Sequence, residues 1–521
     1  MNQRNLRDNH ISKLNTSQQN LFEAAKLIGQ MIIKSFGPFG LEKLTINNYG
    51  DFFIIRDGKT IIEKSNFEHP VGKIMLDLTE TMTKNVGDGT ISAILLTSFL
   101  LDNARLNMEK GIHQNIIIDG YNTALKFSLD LLDHIKLPIV TNNDWKKLIY
   151  SSLRSKFNEN ESSKLSQLTF DSIYSIDPTF TNSTTPDYVN IVCNGGDSLD
   201  NSKLIDGVVF DADPLSSTMT SDLKSAKIAI IHSPISISNN GIKKEINIDD
   251  PLMLPKFRDS EKELLLKNVD YLVQIGANVL FSHKTIDDLL TSRLSELGIF
   301  TVKRVPLKYI EMIEKSTGAT MTNNLAELDD NNLGYCSNIS TLKSMDEKNW
   351  IVLKDGVKHM SNTIFVRTQT QRHSDLLEDL LKRTLILLQQ SIRYPYFVFG
   401  GGWYEFILAQ KLRTYSQNID NLQQLVLKSY SDSIELIPIS LATNSGFSNI
   451  DLLVDLRKSN PSPTKYIGLD LNNRLLCNIK NKSIIEPVSV KKQLLTSATE
   501  TAISILRIHD IHNITSKQET K

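Results

Sequence analysis

Val86-Gly87-Asp88-Gly89-Thr90 sets two glycines around a lone carboxylate, immediately before the apolar run Ile91 to Leu101. Glycine lets backbone N–H groups come close to a phosphate, and a helix starting at Thr90 adds the positive end of its dipole. Asp88 can then hold a magnesium ion against the phosphate oxygens. The same run also suits an ordinary glycine turn that caps a helix.

Three other stretches bear on that choice. Ser35-Phe36-Gly37-Pro38-Phe39-Gly40-Leu41-Glu42-Lys43 follows a helical segment, Ala24 to Ile33, with a rigid turn whose backbone can wrap a second side of a phosphate chain. Arg56-Asp57-Gly58-Lys59-Thr60 puts another carboxylate on a turn after the apolar strand Phe52 to Ile55. Gly400-Gly401-Gly402 and Glu405 follow far downstream. In this order and spacing the four stretches resemble the equatorial domain of group II chaperonins, the ring-forming folding machines of archaea and the eukaryotic cytosol.

The resemblance runs through nearly the whole chain. Lys110-Gly111-Ile112-His113, Gly195-Gly196-Asp197-Ser198-Leu199, Asp206-Gly207-Val208-Val209-Phe210, Gly276-Ala277-Asn278, Thr317-Gly318-Ala319, Ile485-Glu486-Pro487 and Ser497-Ala498-Thr499-Glu500 all resemble family stretches. It implies a multidomain α+β fold in five segments. A mainly helical equatorial domain would take 1–140 and 399–521, and a small intermediate domain 141–200 and 356–398. An α/β apical domain would take 201–355, with a helical lid protrusion near 243–257. The run Gly468 to Asn473 leans toward the eta type of eukaryotic cytosolic subunit.

Composition bounds the answer independently. At 521 residues the chain calls for two or three cores. Lys plus Arg at 58 against Asp plus Glu at 59 give no electrostatic case for a nucleic-acid partner. Cys193, Cys336 and Cys477 are too few and scattered for a disulfide framework or a tetrahedral zinc site, which fits a reducing compartment. The polar start lacks a signal-peptide core, and no apolar run nears the roughly 20 residues of a membrane helix. A soluble, cytoplasmic protein with no membrane partner is expected.

Hydrophobic spacing reads as helical from Asn20 to about Ile139 and again from Trp403 to His512, apart from the strand-like segment Lys43 to Ile55. Two such blocks imply one discontinuous domain around an insert. Inside the insert, Ala226 to His232 and Val279 to Phe281 read as buried strands, and Asp259 to Ile275 and Thr285 to Leu297 as amphipathic helices. Proline and glycine mark hinges near Leu137-Pro138 and Phe399-Gly400.

Carried over by motif, the resemblance implies an ATP or ADP site with Mg2+. Gly37 and Pro38 would line the nucleotide, Gly89, Thr90 and Ser92 would donate to phosphate oxygens, and Asp88 would bind the metal. Asp57 would orient the attacking water. Ser155 and Lys156 match a motif whose lysine reaches the terminal phosphate. Gly401, Asp470, Glu486 and Lys491 match positions around the ribose and base. Ser155 and Lys156 equally suit a solvent-facing helix, Asp470 a turn with Asn472 and Asn473, and Glu486 a helix start before Pro487.

The chain departs from the family pattern where a second aspartate would activate the water. It reads Glu378, Asp379, Leu380, Leu381, Lys382, Arg383, Thr384, which puts Arg383 at the aspartate's position. An arginine cannot accept a proton at neutral pH. Asp379 lies on the same helical face but about 6 Å away along the axis. Ile91, Lys59 and Trp403 are smaller departures, and Trp403 either crowds the nucleotide or turns outward. The expectation is a subunit of a hetero-oligomeric double ring that acts on unfolded client proteins, binding Mg-ATP and hydrolysing it weakly. The rival is a chaperonin-like assembly or adaptor protein without a productive ATPase cycle.

Overall fold

The computed structural model describes residues 16–46, 52–65, 67–214, 222–235, 263, 266–267, 269–343, 349–459, 462–482 and 484–510. The expected lid segment 243–257 lies outside the described residues, as does much of the helix expected over 259–275. The chain forms two compact units, one of residues 1–166 with 383–521 and one of residues 167–382. The architecture is multidomain α+β, rich in helix, with one large mixed sheet.

In the discontinuous unit, the helix Thr90–Glu109 packs against Thr16–Ile33, Pro70–Val86, Gln423–Asn444 and Val488–Leu506. It buries Ala93, Ile94, Leu95, Leu96, Leu100, Leu101 and Ala104, which lie all round its circumference. A helix that is apolar on every side belongs in the middle of a bundle. Its polar groups bond within the helix and to its neighbours: Thr97 Oγ1 donates to the Ala93 carbonyl at 2.8 Å, Asn103 Nδ2 donates to Ser433 Oγ at 2.7 Å, and the Leu100 carbonyl accepts from Tyr121 Oη at 2.6 Å.

The strand-like stretch after the first helix is a hairpin, Lys43–Ile46 antiparallel to Phe52–Ile55. The C-terminal block is not helical throughout. A second hairpin, Ile467–Asp470 with Leu475–Asn478, interrupts it, followed by the strand Ile485–Pro487. That strand pairs with Tyr396–Phe399, which pairs on its other side with Leu137–Pro138. Both positions expected as hinges are therefore strands of one three-stranded antiparallel sheet.

The other unit is built on eight strands in the order Val189–Gly195, Asn362–Thr368, Lys203–Asp211, Asn349–Gly356, Gly334–Lys343, Asp222–Ile231, Val279–Ser282 and Phe300–Val302. The last three run parallel, the helix Asp288–Glu296 connecting the final two, and the first two are parallel to each other. Side chains alternate across the sheet as the strand period requires. Ile228 and Ile230 join one core with Phe210, Phe281 and Ile351, while Ala229 and Ile231 join another with Leu280, Leu290 and Leu294.

Asn362 anchors one edge of this sheet: its Nδ2 donates to the Ser172 carbonyl at 2.7 Å and to Ser175 Oγ at 2.8 Å. Replacing it by Leu removes both bonds and leaves the Ser172 carbonyl only the Ser175 hydroxyl at 3.1 Å, and we expect a loss of about 1–3 kcal/mol in this unit. Hydrogen exchange would report it as faster exchange of the Val189–Gly195 and Asn362–Thr368 amides, with the discontinuous unit unchanged.

Candidate nucleotide site

The helix Pro70–Val86 ends where Gly87 turns left-handed, φ +71°, its N–H returning to the Met82 carbonyl. Gly89 is left-handed again at φ +81°. A Cβ on Gly87 would sit 2.1 Å from the carbonyl oxygen of Arg383, so no other residue fits there. The next helix starts at Thr90 with no side-chain cap, and its first intrahelical bond is Ala93 N–H to the Gly89 carbonyl. The N–H groups of Thr90, Ile91 and Ser92 precede that bond, so they have no acceptor within the helix and are suited to an anion.

Asp88 projects between the two glycines. Its Oδ1 accepts from Gly89 N–H at 2.9 Å, and its Oδ2 accepts from Ser152 Oγ at 2.8 Å. Lys156 Nζ approaches Asp88 Oδ1 at 3.2 Å. The ammonium is buried, yet among the described residues it donates no well-directed hydrogen bond. Ser155 Oγ is spent on the Ser152 carbonyl at 2.8 Å.

Asp57 caps the helix Gly58–Ser65. Its Oδ2 accepts from Thr60 N–H at 3.0 Å and Thr60 Oγ1 at 2.9 Å. The same oxygen lies 2.8 Å from Arg383 Nη1, in an ion pair whose side chains are only 4% (Arg383) and 11% (Asp57) exposed. Burial alone would raise the Asp57 carboxyl, but the Arg383 charge and the bonds from Thr60 and Arg383 outweigh it and hold the group below the usual carboxylate range. Asp379, the alternative carboxylate, is exposed.

Contacts join the remaining turns. Arg56 Nη2 donates to the Gly37 carbonyl at 2.5 Å, tying the Gly37-Pro38 turn to the Asp57 turn. A Cβ on Gly58 would lie 2.7 Å from Ile91 and 3.2 Å from Thr90, so the starts of the two helices touch. Ile91, a departure from the pattern, fills that junction.

On the far side, the Gly401 carbonyl accepts from Leu469 N–H at 2.8 Å, and Gly400 N–H donates to the Ile484 carbonyl at 3.0 Å. The triple glycine is thus held between the second hairpin and the strand carrying Glu486. Asp470 is engaged by Lys482 Nζ at 2.7 Å and by Asn473 at 2.8 Å. Burial would raise its carboxyl, but these donors hold it low. Lys491, 7% exposed, sits between Glu405 at 2.5 Å and Glu486 at 2.6 Å. Burial, with Glu405 and Asp88 as like charges, pushes the Glu486 carboxyl up against the pull of Lys491. Trp403 neither turns outward nor stays open to a ligand. It is 1% exposed, meets Phe399 edge to face and stacks on Tyr466, both at 5.7 Å between ring centres.

Contacts thus link Gly37, Asp57, Thr90, Gly89, Asp88, Lys156 and Arg383 in one region, and Gly401 and Asp470 join through a second contact set. Three participants were not singled out from sequence: Arg56, Ser152 and Lys482. Ser152 was legible as the first residue of the run Ser152 to Lys156, whose lysine the family motif marks. No sequence signal marked the other two.

The residues fit a metal-bound nucleotide. An uncapped helix start and a buried ammonium with unused donor capacity suit phosphates. Among the described residues there is no cluster of three or more metal-ligating side chains. A phosphate-bound Mg2+ needs only one or two carboxylates, which Asp88 supplies.

Replacing Arg383 by Met strands a buried carboxylate, so we expect it to cost about 3–5 kcal/mol at pH 7. Asp57, depressed when folded, contributes stability that is full above its unfolded value near ~4 and is lost as pH falls through the folded one. In the variant, burial raises Asp57 instead. Thermal unfolding should therefore show the deficit against wild type shrinking between pH 7 and pH 4.

Residues 28–515 match the TCP-1/cpn60 chaperonin family. A thermosome alpha subunit of Archaeoglobus fulgidus is 32% identical over 493 residues, covering 94% of this chain and 90% of the relative. One of Sulfolobus acidocaldarius is also 32% identical, over 504 residues, with the same coverage. A thermosome beta subunit of Methanothermobacter thermautotrophicus is 30% identical over 488 residues, again covering 94% and 90%. With matches of this extent, the chain belongs to the TCP-1/cpn60 chaperonin family.

Proposed function

We propose that the protein is a protein-folding chaperone subunit of a double ring, with ATP or ADP and Mg2+ held at the Asp88 turn and only slow hydrolysis. Family membership and the thermosome relatives support the ring and the unfolded client. The observation that carries the nucleotide reading is the uncapped start of the Thr90 helix, with Asp88 held beside it by Ser152 and Lys156. The domain reading follows the family: equatorial 1–140 and 399–521, intermediate 141–200 and 356–398, and apical 201–355.

Bound Mg-ATP supplies a cleavable phosphoanhydride and a divalent charge. Backbone and hydroxyl donors of Gly89, Thr90 and Ser92 would hold the phosphates, with Gly37 and Pro38 lining the nucleotide. Lys156 already neutralises Asp88, so a phosphate would compete for the same ammonium, and that competition would couple occupancy to movement. Gly401, Asp470 and Glu486 would hold the ribose and base, while Lys491 serves by fixing Glu486. Ser155 steadies the turn that carries Lys156.

Asp57 is a poor base in this setting. A general base works best with a pKa near the operating pH, whereas Asp57 is depressed and already accepts from Arg383 and Thr60. Neighbouring subunits of a mixed ring, of the eukaryotic cytosolic type, would then power closure. The three free cysteines fit a reducing, cytosolic setting.

ATP turnover by the purified assembly tests this. Arg383→Asp should raise turnover about a hundredfold, the usual scale of a general base. Wild-type turnover equal to that of the variant overturns the slow-hydrolysis reading. Elution as a very large particle with related chains is the expected outcome on size exclusion. A lone chain without turnover would favour the adaptor alternative, which the Arg383–Asp57 pair also accommodates.

A further inference from the structure

We propose that Arg383, by cancelling the charge of Asp57, lets this site bind nucleotide without a divalent metal. The inference rests on the nucleotide reading above and assigns a role to the residue that displaces the second carboxylate.

A charge count at the turn leads there. Asp57 and Asp88 bring two negative charges, and each has its own protein cation, Arg383 at 2.8 Å and Lys156 at 3.2 Å. The two carboxylates are therefore balanced, Arg56 adds a further cation at the Gly37 carbonyl, and the helix start adds partial positive charge. Were position 383 a carboxylate, three acidic groups would face only Lys156 and Arg56, and a polyanion would be repelled until a metal entered. The remaining acidic neighbour, Glu486, shares Lys491 with Glu405.

Placement supports the count. The backbone of Arg383 is fixed against the turn, since its carbonyl oxygen occupies the space where a Gly87 Cβ would project. Its guanidinium is fixed at Asp57, the cap of a helix whose first residue touches Thr90 and Ile91. This buried cation beside the turn keeps its charge at every physiological pH. Charge interactions in so buried a setting are screened far less than at a surface.

Calorimetric titration of the full-length protein with ATP, once in excess Mg2+ and once in excess EDTA, tests the proposal. Wild type should bind in EDTA within about tenfold of its affinity in Mg2+. Arg383→Met should weaken binding in EDTA by about tenfold or more while losing less in Mg2+, and Arg383→Lys should recover most of the loss. If Arg383→Met fails to fold because Asp57 is stranded, the neutral double variant Arg383→Met with Asp57→Asn takes its place, and because it keeps the net charge of the turn it should bind in EDTA within about tenfold of wild type. Wild-type binding in Mg2+ but not in EDTA overturns the inference and leaves the nucleotide reading standing. Undiminished EDTA binding by Arg383→Met, or a loss of about tenfold or more in the double variant, also overturns it. Absence of binding in both media overturns the nucleotide reading and the inference together.

Discussion

A helix packed among its neighbours offers a ligand its free N-terminal donors and little else. Thr90–Glu109 packs against six other helices, and only toward its end do Leu106 and Glu109 face solvent, so the turn at its start is where its backbone donors reach a ligand. That constraint dictates the residues. The chain must reverse between two packed helices within three positions, which requires left-handed backbone at Gly87 and Gly89. It must also allow the 383 backbone to approach at Gly87 with no intervening side chain. The carboxylate between the glycines is the only side chain the turn can aim outward.

Charges around this turn are paired locally. Asp88 meets Lys156, Asp57 meets Arg383, Asp470 meets Lys482, and Glu405 with Glu486 share Lys491. The pairs differ in what they permit. Lys156 holds Asp88 through one contact without good hydrogen-bond direction, so its ammonium can be drawn away. Lys491 lies between two carboxylates in a dry setting and is committed to them, with its own pKa raised despite burial. A mobile cation and a fixed one play different parts, although both are single lysines in the sequence.

Much of the framework was legible because its signals are local. Glycine bracketing of Asp88, helical spacing on either side, and the short apolar run Ala226 to His232 are each local signals of backbone geometry. The insert's strand Val279–Ser282 was legible as the apolar run Val279 to Phe281. The second hairpin was lost in the C-terminal block, since a four-residue strand between helices carries too little period to be seen. Site chemistry was legible at Asp57, Asp88 and Arg383 by motif, whereas the partners of Lys491 and the inward turn of Trp403 depend on long-range packing. No local pattern announces that an indole will pack edge-on to Phe399 and stack on Tyr466.

Arg383 shows why exchanging a carboxylate for a cation need not dismantle such a site. Deleting one member of a buried pair leaves a bare charge, which is severely destabilising, but a change of sign can create a pair where two like charges stood. Here the guanidinium satisfies Asp57 in a place from which water is largely excluded. The same contact that stabilises the fold lowers the basicity of Asp57, so stability and water activation pull against each other at one oxygen atom. A chain that keeps Asp88, Lys156 and the glycines while pinning Asp57 retains what is needed to grip phosphates and gives up what is needed to cleave them. In a ring whose members move together, gripping alone biases the common equilibrium, because a ligand shifts two states by its difference in affinity and not by its consumption.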